Sequence, residues 1–129
     1  MKGKLQERGY LIFPKVVPVE LCEAVIRDIG VHDGTPDPFG MVEMYHYQSM
    51  WDVRQHPAVH EAFAGVFGTP SLWTSIDRVC CKEPLEEDAK GYSFMHWDIC
   101  INQKPRPFEV QGLVALRDTD PDMGGSGAC

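Results

Sequence analysis

The apolar residues of this chain recur at helical spacing in two stretches before residue 68 and fall in β-rich runs from residue 71, and that change of texture limits what it can fold into. In VVPVELCEAVIRDIG, Leu21, Cys22, Val25, Ile26 and Ile29 recur at helical spacing behind Pro18 and ahead of Gly30, which predicts an amphipathic helix over about 18–29. HPAVHEAFAGVFG repeats the design with an early proline, apolar Val59, Phe63, Val66 and Phe67, and a terminal Gly68; a second helix is expected over about 57–67. SLWTSIDRVCCK (71–82), YSFMHWDICI (92–101) and FEVQGLVALRD (108–118) are instead β-rich and separated by polar, proline- or glycine-containing breaks, so the second half reads as a sheet. The expected class is α+β, with residues 1–70 mainly helical, 71–118 stranded and 119–129 a turn-like tail.

Shorter stretches fill this outline. GYLIF (9–13) is a brief β-rich run ended by Pro14, and VHDGTPDPFG (31–40) must be a loop because it holds two prolines and two glycines. MVEMYHYQSMWDVRQ has no clean period and reads as irregular. At 129 residues the chain suits one domain.

Nineteen acids against twelve bases leave a net charge of -7 with no basic run, which argues against nucleic acid or an anionic membrane surface as partner. Five cysteines without CxxC spacing fit a reducing, cytoplasmic setting. Cys80 and Cys81 are adjacent, so on a strand they face opposite ways and cannot easily share a metal; they read as small buried hydrophobes. No apolar stretch approaches the ~20 residues of a membrane helix.

FMHWDIC sets two polar side chains, His96 and Asp98, into an apolar run on either side of Trp97. On a strand, residues two apart share a face, so imidazole and carboxylate would converge. Together they offer two thirds of the 2-His-1-carboxylate set that suits non-haem Fe(II); a hydrogen-bonded pair at a sheet rim is the plainer account of the same spacing.

The order of several segments resembles the phytanoyl-CoA dioxygenase family of Fe(II)/2-oxoglutarate-dependent oxygenases. The resemblance is carried by ERGYLIFPKVVPVELCEAVIRDI, SIDRVCCKEP, the HWD triplet, and VQGLVALRDTDPDMGG with its DxxxGG turn. It implies N-terminal helices packed on a partial double-stranded β-helix of the jelly-roll or cupin kind. His96 and Asp98 look like the first two iron ligands. The cosubstrates would be 2-oxoglutarate and O2, consumed with loss of CO2 and release of succinate, and the usual outcome is hydroxylation of a small molecule at an unactivated carbon.

The resemblance also bears on other residues. Arg78 and Lys82 share one face of the 71–82 strand, from which the family often draws cosubstrate contacts; a solvated rim pair is the alternative. Trp97 touches the cosubstrate or packs, and Gln111 donates to a substrate or cosubstrate oxygen or faces outward. Tyr45, Tyr47 and Trp51 form a substrate lid or a local aromatic cluster.

The family pattern continues past the glycine turn to a second histidine ligand and an arginine that pairs with the far carboxylate of 2-oxoglutarate. Neither has a matching position after Met123, where the sequence reads GGSGAC. His32, His46, His56 and His60 lie in loops or beside the second helix and do not fill the role. The expectation is therefore a truncated family member that is a poor catalyst alone. A noncatalytic β-domain is the other reading: it would bind a small molecule, a second copy or a complementing chain through open sheet edges.

Overall fold

A computed structural model describes residues 1–37, 39–81, 96, 98–100, 102–105 and 108–120. Among them the chain is mostly helical. Four helices, α1 (Lys2–Arg8), α2 (Val19–Val31), α3 (Gln48–Arg54) and α4 (Pro57–Phe67), accompany two short strands, β1 (Met41–Val42) and β2 (Val79–Cys80).

The two helices expected from periodicity are present. α4 spans the predicted residues because both ends are closed locally: His56 Nδ1 accepts from the Ala58 amide at 3.3 Å, Pro57 occupies the first turn, and Gly68 adopts a left-handed φ of 75°. These are the devices that satisfy orphan amides and carbonyls at helix ends. α2 begins one residue later than expected, with Pro18 at the N-cap in an extended conformation. It also runs through Gly30 to Val31, and the His32 amide closes it on the Asp28 carbonyl at 3.0 Å. A glycine inside a helix costs about 1 kcal/mol relative to alanine, which continued hydrogen bonding and packing can offset.

Two helices were not legible in the pattern. α1 ends on Gly9 in a left-handed conformation and has no buried residue. α3, inside the stretch expected to be irregular, is only seven residues long, yet it buries Ser49, Met50 and Val53. Its stability comes from packing on α2 rather than from an extended stripe, as expected for a helix of two turns. The Ser49 hydroxyl donates to the Asp28 carboxylate of α2.

The core is built where these helices meet the strands. Val25 of α2, Val42 of β1, Met44, Met50 and Val53 of α3, and Val79 of β2 form one buried cluster. β1 and β2 pair antiparallel with Met41 opposite Cys80 and Val42 opposite Val79, and the Cys81 amide extends the ladder to the Gly40 carbonyl at 2.7 Å. Cys80 is exposed and Cys81 half-buried, so only the second approaches the expected buried setting.

The expectation of a stranded second half is corrected. Among the described residues no double-stranded β-helix or jelly roll is present, only this two-stranded open sheet. Among the described residues of the 71–82 segment, Val79–Cys80 alone is a strand. Upstream of it the Arg54 guanidinium donates to the carbonyls of Ser75, at 3.0 Å, and Asp77; backbone acceptors that a neighbouring strand would use are held by a side chain from α3. Residues 108–118 and the 9–13 run form no strand either. Within 92–101, Asp98 and Ile99 lie in a bend, while 92–95, 97 and 101 are outside the described residues, as are 121–129 of the tail.

Candidate functional site

His96 and Asp98 do converge, although not by the strand geometry that spacing suggests. The bend at Asp98–Ile99 brings His96 Nε2 to 3.0 Å from Asp98 Oδ1. The other carboxylate oxygen, Oδ2, accepts from the Gln111 side-chain amide. Each carboxylate oxygen thus has its own partner, which fixes the rotation of the group. Both members of the pair are about half exposed, 51% and 52%, so ions and small molecules can reach them.

The donor set can be tested against a cation. Two ligands on adjacent corners of an octahedral first-row ion, each about 2.1 Å from it, lie roughly 3.0 Å apart, matching the Nε2 to Oδ1 separation. A carboxylate oriented by an amide on its free oxygen is also how outer partners hold metal ligands. The same separation describes a direct hydrogen bond between the two groups. The residues present therefore fit two corners of a metal site. Among the described residues no group of three or more His, Cys, Asp or Glu side chains is assembled.

Three of the four upstream histidines are occupied elsewhere. His56 caps α4, His60 Nε2 is 2.9 Å from the Pro70 carbonyl, and His32 Nδ1 is 3.3 Å from the Tyr47 hydroxyl. None joins His96 and Asp98 as a third ligand.

Of the two predicted cosubstrate residues that are described, Gln111 is brought to the pair and Arg78 is not. Arg78 is drawn away by acids: it lies 3.5 Å from Asp37 Oδ2 and 3.5 Å from Asp77 Oδ1. Asp37 in turn accepts the Phe39 and Met41 amides on Oδ1, each at 2.8 Å, so this network ties the 32–40 loop to β2. Lys82 and Trp97 lie outside the described residues.

The aromatic stretch folds upon itself. Trp51 Nε1 donates to the Tyr45 carbonyl at 3.1 Å, and Tyr47 meets His32 edge to face with ring centroids 5.6 Å apart. Tyr47 also packs on the core. These contacts engage the Trp51 indole, the Tyr47 ring and the Tyr45 backbone carbonyl. A cleft of about 410 Å³ lies nearby, lined by His32, Asp37, Met41 and Glu43 with Gly34, Thr35 and Pro36. Apart from His32, weighed above as an iron ligand, it includes no residue singled out from sequence, because its walls come from a loop whose closure depends on Asp37.

The chain is similar to Ava biosynthesis cluster protein O of Aspergillus versicolor, with 31% identity over 80 residues, 62% of this chain and 26% of that protein. The matched region spans about a quarter of the relative's length. No family model matches the chain, and no solved structure matches it.

Proposed function

We propose that this chain contributes the first half of an iron site to an Fe(II)/2-oxoglutarate-dependent oxygenase of the phytanoyl-CoA dioxygenase kind, acting on a small molecule in fungal secondary metabolism. The observation that carries the reading is the approach of His96 Nε2 to Asp98 Oδ1 at 3.0 Å, with Gln111 on the remaining carboxylate oxygen. The metabolic setting rests on the similarity to a biosynthesis cluster protein. The cytoplasm and the cosubstrate roles of Lys82, Trp97 and Arg78 belong to the same reading, as does a substrate role for Tyr45, Tyr47 and Trp51.

In this reading His96 and Asp98 hold the cation, and Gln111 keeps the carboxylate turned toward it. Iron, when bound, supplies O2-activating chemistry that no side chain can. Arg78 would have to exchange Asp37 and Asp77 for a cosubstrate carboxylate, which makes it the weakest of the carried-over roles. A second histidine and an arginine would come from outside these 129 residues.

Binding of Co(II), a spectroscopic stand-in for Fe(II), tests the pair. The chain is expected to take up one weakly held ion, and His96→Ala or Asp98→Ala to abolish uptake. Equal binding by both variants, or none by the unaltered chain, refutes the assignment.

The second reading, a noncatalytic domain that binds a small molecule or another chain, is favoured by the open edges of the β1–β2 sheet and by Trp73, which is fully exposed. Size-exclusion chromatography combined with iron-dependent succinate release separates the two. Succinate release supports the oxygenase; a stable oligomer indifferent to iron supports the binding domain.

A further inference from the structure

Gln111 lies on a segment that forms no strand, so no β-ladder holds its amide against Asp98. Its neighbours in sequence are held instead by side-chain packing: Val114 and Leu116 further along lie against the core cluster, while the residues that flank Gln111 most closely meet α4. The Phe108 ring meets Phe67 edge to face with centroids 5.6 Å apart, and Lys2 Nζ of α1 lies 4.4 Å from the centroid of the same ring. On the other side, Gly112 approaches α4 so closely that a Cβ placed there would lie 2.6 Å from Phe63 Cζ. Phe63 and Phe67 are four residues apart and share one face of α4.

We infer that α4 is the template that positions the His96–Asp98 pair: Phe63 and Phe67 seat Gly112 and Phe108, these two bracket Gln111, and Gln111 orients Asp98. Phe63, Phe67, Phe108 and Gly112 are positioning residues that act on the pair through Gln111. An exposed glutamine in unpaired chain samples many rotamers, and a single amide contact to a half-exposed carboxylate does not overcome that freedom. Seating the backbone on both sides of Gln111 removes most of the alternatives before the hydrogen bond forms. A side chain at 112 would require either the Phe63 ring or the segment itself to shift, and a bulky one would press on both.

The placement stands on contacts alone; its consequence for a metal rests on the proposed function. The test uses the whole chain, labelled with nitrogen-15, and reads the Gln111 side-chain amide signals together with Co(II) affinity. Gly112→Val is expected to move those signals to the positions they take in Asp98→Ala, where the acceptor is gone. It is also expected to weaken Co(II) binding by about 10- to 100-fold, the usual range for loss of an outer partner. Adding Phe63→Ala, which clears space beneath residue 112, should restore both. Phe108→Ala introduces no bulk, guards against a failure of Gly112→Val to fold, and should shift the signals in the same direction. Unchanged Gln111 signals in folded Phe108→Ala overturn the inference, as does a Gly112→Val chain that behaves like the parent. If the signals respond as described but the parent chain binds no Co(II), α4 remains the template and the iron assignment falls.

Discussion

Met44 is, with Val25, among the most deeply buried residues described: it is 1% exposed and belongs to the cluster that unites α2, β1, α3 and β2. Met44→Ala would leave a cavity lined by Val25, Val42, Met50, Val53 and Val79. Such truncations cost about 2 to 5 kcal/mol, the higher values where the walls cannot collapse. Here the walls belong to four different elements, so collapse would require them to shift together, and a loss of about 3 to 4 kcal/mol is expected. A chain of 129 residues has a total stability of roughly 6 to 19 kcal/mol. Only eight hydrophobic residues are buried among those described, which places this one toward the lower end. Met44→Ala should therefore remove a third or more of the stability and lower the melting temperature by roughly 10 °C.

Urea unfolding followed by far-ultraviolet circular dichroism measures the loss. Leu113→Ala, at a residue 76% exposed, is the control and should stay within about 0.5 kcal/mol of the parent. If Met44→Ala proves no more damaging than Leu113→Ala, the assignment of the core to the α2–α3–sheet junction is wrong.

Other perturbations test separate contacts. Ser49→Ala removes the hydroxyl that donates to the Asp28 carboxylate and should cost about 1 to 2 kcal/mol, since water can reach Asp28 in part; denaturant titration reads it. Asp37→Ala should destabilise by more than Arg78→Ala, because Asp37 also accepts the Phe39 and Met41 amides. The ion pair itself, with side chains 39% and 34% exposed, is worth at most about 1 kcal/mol. Equal losses in the two variants would mean that the amide contacts contribute nothing. Gly68→Ala has open space but a φ of 75°, and calorimetry should find it about 1 kcal/mol less stable from backbone strain alone.

Which elements were legible from residue order follows from the distance over which each is determined. α2 and α4 are written in their own stripes and end signals, within spans short enough for neighbouring residues to decide them. The nearness of His96 and Asp98 was also legible, since two residues separated by one cannot be far apart, even though a bend and not a strand joins them. What residue order could not state is which distant groups would claim each other. Val79–Cys80 becomes a strand because Met41–Val42 is there to pair with it, whereas the β-rich residues before it give carbonyls to Arg54, and of those that follow, Phe108 and Gly112 meet Phe67 and Phe63 of α4 while Val114 and Leu116 pack on the core cluster. Strand propensity describes a residue's fitness for a sheet, but hydrogen-bond partners remote in sequence decide whether a sheet exists. Gln111 reaches Asp98 for the same reason: the helix beneath it, and no local pattern, sets its position.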